Sequence, residues 1–361
     1  FQFTISMTLL IGASVIYKQM QYILNSKIGF DKDEVVMLQG TDALRDQTTA
    51  FKNELLRLPV VKNVSVSDFL PVDGTKRNGN TFREEGKDDQ NIQLQHWVVD
   101  ENYIPTLGMK IIAGRNFSKD FHTDSAATVI NQSLADKLGY KDPIGKIITN
   151  GGEHLTIIGV VNNFYYENVK QQVQPLCMVL GNSNSIISVK VNAANMKAAL
   201  ASIDKVWKDF LPHQALRYNF LDQSYAAMYA DVQRIQYIFS GFSLLAIIIA
   251  CLGLFALASF MAEQRNKEIS IRKVLGASSI NLFALLTGNF LKLVGISLII
   301  AIPLSWMLMN KWLQDYAYRV KITWDLFALT AIIVILIAVL TIFFQAIKVA
   351  LANPVESLRS E

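Results

Sequence analysis

Residues 237–261 read YIFSGFSLLAIIIACLGLFALASFM and contain no charged side chain. A helix rises 1.5 Å per residue, so about 20 apolar residues cross a hydrocarbon layer of about 30 Å. This stretch therefore reads as a transmembrane helix. It decides the fold because a long polar region precedes it and further apolar runs follow, at 290–309 and 326–344. A fourth run, 1–17, opens the chain. At about 25 Å of helix it is short, and no basic residue precedes it, so we expect a truncated first span and the later part of a longer polypeptide. A signal peptide would need a small-residue cleavage site after Tyr17, and the helical pattern continues there instead.

Composition agrees with this division. Of 361 residues, 51% are hydrophobic and 18% charged, against about 25% charged in soluble domains, which excludes a wholly soluble protein. Residues 18–236 hold 24 basic and 24 acidic side chains, so the net charge of +4 belongs to the apolar parts. A nucleic-acid groove would need clustered cations in the polar region, so nucleic acid is not an expected partner. The two cysteines, Cys177 and Cys251, fall in different regions and form no disulfide framework. Loop 262–283 carries Arg265, Lys267, Arg272 and Lys273, which the positive-inside rule assigns to the cytoplasm, leaving 18–236 outside. Trp306, Trp312, Tyr316, Tyr318 and Trp324 gather at the opposite end like an interfacial belt. With the third span beginning near Phe290, Lys292 is expected to snorkel at the cytoplasmic interface, and Pro303 to kink the helix.

Within 18–236, apolar β-branched runs at 35–38, 61–66, 94–99, 155–161, 186–191 and 217–220 predict strands. Helices are predicted at 46–58 and at 195–210, the latter with Met196, Leu200, Ile203, Trp207 and Phe210 on one face. Both ends of the region thus read strand, helix, strand. We expect two lobes, with 30–70 and 155–222 packing together, 71–154 as a mostly β lobe, and the polar loop 73–80 crossing between them. The expected fold class is an α-helical membrane protein with four transmembrane helices and a large extracytoplasmic α+β domain carried on helical stalks.

Enzyme chemistry finds no support in the residues. The segment from Gly139 to Lys146 has five residues between its glycines where a phosphate loop has four, and Ile147 stands where Ser or Thr would hold Mg²⁺. Asp31 and Asp33 lack the next calcium ligand, since Val35 and Val36 occupy the positions of ligand and glycine. His96, His122, His154 and His213 have no zinc spacing, and no nucleophile elbow occurs. No metal, no bound cofactor and no catalytic residue are expected.

Two segments carry the mechanism instead. Tyr225, Met228, Val232, Ile235 and Phe239 recur at intervals of 3 and 4, and neither Gly nor Pro lies between Asp222 and Gly241. An unbroken stalk helix is expected to run from the domain into lipid, where it can pass on a displacement that a flexible linker would absorb. Ile16, Met20 and Ile23 extend the first span outward in the same way, up to Lys27. In the cytoplasmic loop, Arg265, Glu268 and Arg272 share one helical face and Ile271, Val274 and Leu275 another. Glu268 and Arg272 form a favourable i, i+4 pair, and Gly276 offers a stop. By physics alone this helix either rests on anionic lipid or docks in a partner's groove.

The segment Glu268-Ile269-Ser270-Ile271-Arg272-Lys273-Val274-Leu275-Gly276-Ala277 resembles the cytoplasmic signature of the FtsX-like permease family, and the segment from Ala352 to Leu358 resembles that family's ending. The polar region resembles the periplasmic core domain of MacB-type ABC transporters through 99–109, 113–117, 142–146 and 158–161. The resemblance implies an ABC transporter permease subunit, itself not an enzyme. Its domains would be span 1–17, an extracytoplasmic MacB-like domain over 18–236 with stalks, and an FtsX-like permease domain over 237–361. An ATPase on a separate polypeptide or missing region would supply ATP and Mg²⁺. It would dock at Arg265, Glu268, Ile269, Ile271, Arg272, Lys273, Gly276 and Ala277. Further implied partners are a second permease unit, as a homodimer or the other half of a longer chain, then membrane lipid and a periplasmic protein. The expected location is the cell inner membrane. The competing classes are a membrane-anchored receptor or sensor and a regulator of cell-wall hydrolases. A neighbouring Walker-motif ATPase gene favours the permease.

The paired charge generates a first prediction. Arg272→Glu should weaken co-purification with the ATPase while leaving insertion intact; undiminished co-purification and ATP turnover would remove the loop from the docking site.

Overall fold

The computed structural model describes residues 2–25, 28–72, 79–87, 91–166, 171–183, 185–192, 195–264 and 279–351. It divides into two compact units, Asn25–Ala230 and a helical unit of Phe1–Leu24 with Asp231–Glu361. The helical unit opens with α1 (Gln2–Asn25).

In the large unit, β1 (Val35–Gln39), α2 (Thr48–Leu56) and β2 (Val61–Ser67) form one strand–helix–strand piece. A second consists of β10 (Ile186–Val191), α5 (Met196–Phe210) and β11 (Arg217–Phe220). Their strands pair antiparallel in the order β11-β1-β10-β2, a split βαβ arrangement. The repeat legible at the two ends is therefore one sheet. Both helices lie on it: Phe51 and Leu55 of α2 and Ile203 and Trp207 of α5 are fully buried with Val36, Val64, Ile187 and Val189. The ring of Trp207 stands edge-on to Phe51 at 5.7 Å, and its indole N–H donates to the Gln214 carbonyl at 2.9 Å. The remaining residues of the α5 stripe, Met196, Leu200 and Phe210, pack around the same core.

Between β2 and β10 the chain adds β3 (Gly79–Glu84), β4 (Ile92–Val99), α3 (Tyr103–Thr106), β5 (Ile111–Gly114), β6 (Ala127–Asn131), α4 (Gln132–Leu138), β7 (Ile147–Asn150), β8 (Glu153–Val161) and β9 (Leu176–Leu180). Pairing runs β4-β3-β7-β8-β6-β9 and returns to β4 through a parallel β4–β9 ladder, so these strands close into a ring. Closure removes the open edges that invite aggregation. The ring holds a second core around Phe82, Leu94, Ile130, Ile157 and Cys177. Asn131 ties β6 to its surroundings. Its side-chain oxygen accepts from Leu134 N, capping α4, and from Leu176 N, while its amide donates to the Gln174 carbonyl.

This differs from the expected lobes at one boundary. Strands β8 and β9 join the ring, not the outer sheet, because parallel pairing with β6 and β4 captures them, and such non-local pairing leaves no mark on hydrophobic period. The crossing loop expected at 73–80 falls largely outside the described residues.

The two cores meet where β2 and β4 share the register pair Ser67 and Val99. Charge reinforces this seam. Lys52 of α2, only 5% exposed, donates to Asp100 at 2.8 Å and Glu101 at 3.0 Å. Asp100 also accepts from Ser65 Oγ, Val66 N and Asn102 N. Burial pushes the Asp100 carboxyl up from its ordinary value, against the pull of Lys52. Beside the seam, Arg45 has φ 44° and ψ −121°, close to the first central position of a type II′ turn, which glycine normally fills. An arginine held there stores about 1–3 kcal/mol of strain.

In the helical unit, α7 (Ala230–Gln264), α8 (Ser279–Leu313) and α9 (Trp324–Leu351) join α1. All four helices are long and apolar enough to cross a membrane, over Gln2–Leu24, Ala230–Met261, Leu291–Leu313 and Trp324–Thr341. One shared core holds Met7, Leu254, Val294, Ala301 and Val334. A second gathers Ile11, Val15, Met309, Leu313, Leu326 and Phe327. Each helix extends past the apolar run that announced it, because polar residues continue a helix once its neighbours are packed. Thus α1 passes the expected limit at 17 and reaches Asn25, and α8 starts eleven residues before Phe290. Lys292 is accordingly inside α8, yet it is exposed and lies beside Leu291, where the apolar window opens.

Asp124 supplies a pH-dependent prediction for the large unit. It is fully buried, accepts two bonds from the Arg115 guanidinium at 2.7 and 2.8 Å and one from Ser118 N. The Arg115 hydrogen bonds hold its carboxyl below the usual range. A depressed carboxylate stabilises fully above its unfolded value of about 3.9, and loses that contribution as pH falls through the lower folded value. Asp124→Asn should cost about 1–2 kcal/mol at pH 7, since Arg115 is partly exposed. Melting curves followed by tryptophan fluorescence should converge with wild type in acid; a pH-independent gap would contradict this.

Candidate functional site

The chain enters the large unit through segment 28–34 and leaves it through 221–230. On the large unit the incoming segment 28–34 is fastened residue by residue. The Ile28 carbonyl accepts from Tyr165 N at 2.9 Å, and Asp31 N donates to the Leu107 carbonyl at 2.7 Å. Gly29 has φ +85°, and any Cβ there would overlap the Asn163 carbonyl and Phe164, so the approach requires glycine. Lys190 bridges Asp31 and the Asp33 carbonyl. Phe30, nearly buried, meets the Tyr225 ring edge-on at 6.1 Å.

Tyr225 belongs to the outgoing segment, α6 (Leu221–Ala227). It is fully buried and meets the Tyr229 ring edge-on at 5.5 Å. Burial pushes its phenol well above the ordinary value, with Tyr229 adding to the shift. The unbroken stalk helix expected from the sequence is corrected here: α6 ends at Ala227, Met228 and Tyr229 form a turn, and α7 begins at Ala230. The amides of Met228 and Tyr229 reach back three residues, to the Tyr225 and Ala226 carbonyls, a tightening typical of 3₁₀ geometry. Tyr229 is buried here and Met228 half-buried. Of the predicted stalk residues, Tyr225 and Val232 are buried, Met228 and Phe239 are half-buried, and Ile235 is exposed. Phe239 faces Gly12 of α1, where an added Cβ would sit 3.5 Å from its ring.

The helical unit has its own joint. Gln19 of α1 is fully buried. Its amide nitrogen donates to the Tyr318 carbonyl at 3.0 Å and its amide oxygen accepts from Val320 N at 2.9 Å. One side chain thus pairs with the backbone of loop 314–323 as a neighbouring strand would. The adjacent Lys18 forms an exposed ion pair with Asp325 at 2.8 Å. Ile16, Met20 and Ile23, read from the sequence as the continuing stripe of α1, are all buried. Gln19 was missed although a signal existed: it is an amide inside that apolar stripe. Phe30 carried no such signal.

The predicted ATPase-docking residues Arg265, Glu268, Ile269, Ile271, Arg272, Lys273, Gly276 and Ala277 lie outside the described residues. Among the described residues, no group of three or more His, Cys, Asp or Glu converges as a metal site.

Four apolar helices beside one large polar domain define a membrane protein. The family model of the MacB-like periplasmic core domain matches residues 3–206, and that of the FtsX-like permease C-terminal matches 240–354. The chain belongs to the MacB/FtsX-like family of ABC transporter permeases, and its large domain is extracytoplasmic. The macrolide export ATP-binding/permease protein MacB of Neisseria gonorrhoeae is 27% identical over 282 residues, covering 73% of this chain and 43% of the relative. MacB of Neisseria meningitidis serogroup A is 26% identical over 286 residues, with the same coverage. The chain therefore spans less than half the length of the curated relatives it matches. Among solved structures, the periplasmic region of MacB from Actinobacillus actinomycetemcomitans is similar at 16% identity and a TM-score of 0.41, covering 56% of this chain and 95% of that one. The extracellular domain of the ABC-type transporter YknZ from Gram-positive bacteria gives 20%, 0.37, 51% and 99%.

The two contacts of α1 to the outer loop region differ in expected weight. Gln19→Leu strands a part-buried carbonyl and a part-buried amide, at about 1 kcal/mol or more, and should speed deuterium uptake by peptides covering 314–323. Lys18→Ala removes only a surface pair, worth about 0–1 kcal/mol, and should leave that uptake nearly unchanged. Equal effects would place the joint elsewhere.

Proposed function

We propose that this chain is the permease subunit of an ABC exporter that works by mechanotransmission. It spans the inner membrane four times, holds a two-lobed domain outside, and couples ATP hydrolysis by a separate ATPase to movement of that domain. The ATPase docks at the cytoplasmic segment around Glu268 and Arg272 and brings ATP and Mg²⁺, while this chain binds no cofactor. A second permease unit completes the transporter. The moved substrate is exported or extracted from outside the membrane, without a channel through the four helices. A periplasmic partner receives it.

The observation that carries this reading is the stiffness of the two joints. Segment 28–34 is pinned to both β-rich parts of the domain and, through Phe30, to Tyr225 at the domain's exit. In the helical unit, Gln19 locks the outer part of α1 to loop 314–323. A displacement of the spans would then be received by a domain whose entry and exit segments are fastened to each other. The turn at 228–229 replaces a single helix by two joined without glycine or proline, so the connection lacks the residues of a flexible linker.

The test is reconstitution of the full chain in proteoliposomes with the ABC ATPase encoded beside it. Phe30→Leu keeps apolar volume but removes a ring contact of about 1 kcal/mol. It should preserve ATP hydrolysis and lower transport roughly fivefold. If the wild-type chain neither binds the ATPase nor responds to its nucleotide state, the permease reading fails. If Phe30→Leu transports normally, only the joint at Phe30 falls.

A further inference from the structure

The seam between the two cores of the extracytoplasmic domain opens into a cavity of about 410 Å³. One wall comes from the segment before and within α2, with Arg45, Asp46 and Lys52. The other comes from the end of β4 and the loop after β5, with Asp100, Glu101 and Lys119. Formal charges balance, and the most deeply buried carboxylate is saturated while groups nearer the rim are not. Asp100 accepts four bonds, which fills its two oxygens. Glu101 accepts from both Lys52 and Lys119 at 3.0 Å. The cations keep unspent donors: Lys119 is 68% exposed with one carboxylate partner, and the Arg45 guanidinium has no hydrogen-bond or ion-pair partner among the described residues. Arg45 is also the residue held in a backbone conformation that favours glycine, so the chain places a guanidinium at this rim where the backbone alone would select against it. Planar guanidinium with neighbouring ammonium groups matches a phosphate. Asp46, exposed beside Arg45 and likewise unpaired among the described residues, offers an acceptor to a donor on the same ligand.

We propose that this cavity binds a phosphate group accompanied by a hydroxyl, carried either by a free phosphorylated molecule or by a phospholipid headgroup. Arg45 and Lys119 hold the oxyanion from opposite walls, Lys52 supplies positive charge from beneath, and Asp46 accepts from the hydroxyl. Because the walls belong to different cores, an occupied site links the two parts of the domain. The inference stands apart from ATPase coupling.

The experiment titrates the full chain in phosphatidylcholine nanodiscs, by calorimetry and thermal melting, with inorganic phosphate, sulfate, and monomeric dihexanoyl phosphatidylglycerol or phosphatidylcholine. Saturable binding of hydrogen phosphate over sulfate, which lacks an O–H, supports a free ligand. Binding of the glycerol lipid but not the choline lipid supports a headgroup. Arg45→Gly fits the backbone at φ 44°, so it should melt no lower than wild type while weakening binding at least about tenfold. Lys119→Ala should weaken it less, and Lys208→Ala, paired with Asp204 on α5, not at all. The proposal is overturned if none of the probes saturates, if sulfate binds as well as phosphate, if Arg45→Gly binds normally, or if Lys208→Ala weakens binding as much as Arg45→Gly.

Discussion

Phe30 set edge-on against Tyr225 ties together the two places where the chain leaves its large domain. One residue follows α1 and the other precedes α7, almost two hundred positions later. Their contact makes two separate connections into one fixed base within that domain. The surrounding bonds give the contact its rigidity: Gly29 admits the neighbouring backbone, Tyr165 and Leu107 pair with the segment on either side of Phe30, and Tyr229 backs Tyr225. Aromatic rings suit this task because they bury large area with few rotatable bonds and prefer an edge-to-face geometry.

The joint in the helical unit uses the opposite chemistry for the same end. Gln19 offers one donor and one acceptor to a loop that has one of each to satisfy. In buried surroundings, leaving either group unmade costs more than making it gains, so the arrangement is discrete: paired or broken. The Lys18–Asp325 pair next to it is solvent-exposed and adds little by comparison. An apolar contact would permit sliding of α1 against the loop, and the amide pairing does not.

The large domain is assembled from two cores that share little backbone pairing and are bridged by charge. The register of β2 with β4 is brief, and Lys52, Asp100 and Glu101 carry much of the connection. Buried ion pairs are weak sources of net stability, because desolvation offsets attraction, but they are demanding about geometry. A seam of this kind sets a defined relative position and leaves a polar cleft beside it, in which Arg45 keeps an unfilled guanidinium.

The sequence by itself determined the class and the most apolar of the elements, six of the eleven described strands among them. Long apolar runs marked the four membrane-length helices, β-branched runs marked strands, and the stripe from Met196 to Phe210 marked α5, because each pattern is the direct imprint of burial. The repeated strand–helix–strand order at the two ends foretold the outer sheet for the same reason. Tertiary structure alone decided the rest. Parallel pairing moved β8 and β9 into the ring, and the stalk breaks after Ala227 at a site with neither glycine nor proline. Gln19 found its partners almost three hundred residues away, and Arg45 was held in a conformation that its side chain disfavours. For the ring strands and for Gln19 the deciding partner lies far off in sequence, and a local pattern records which face is buried but not what buries it.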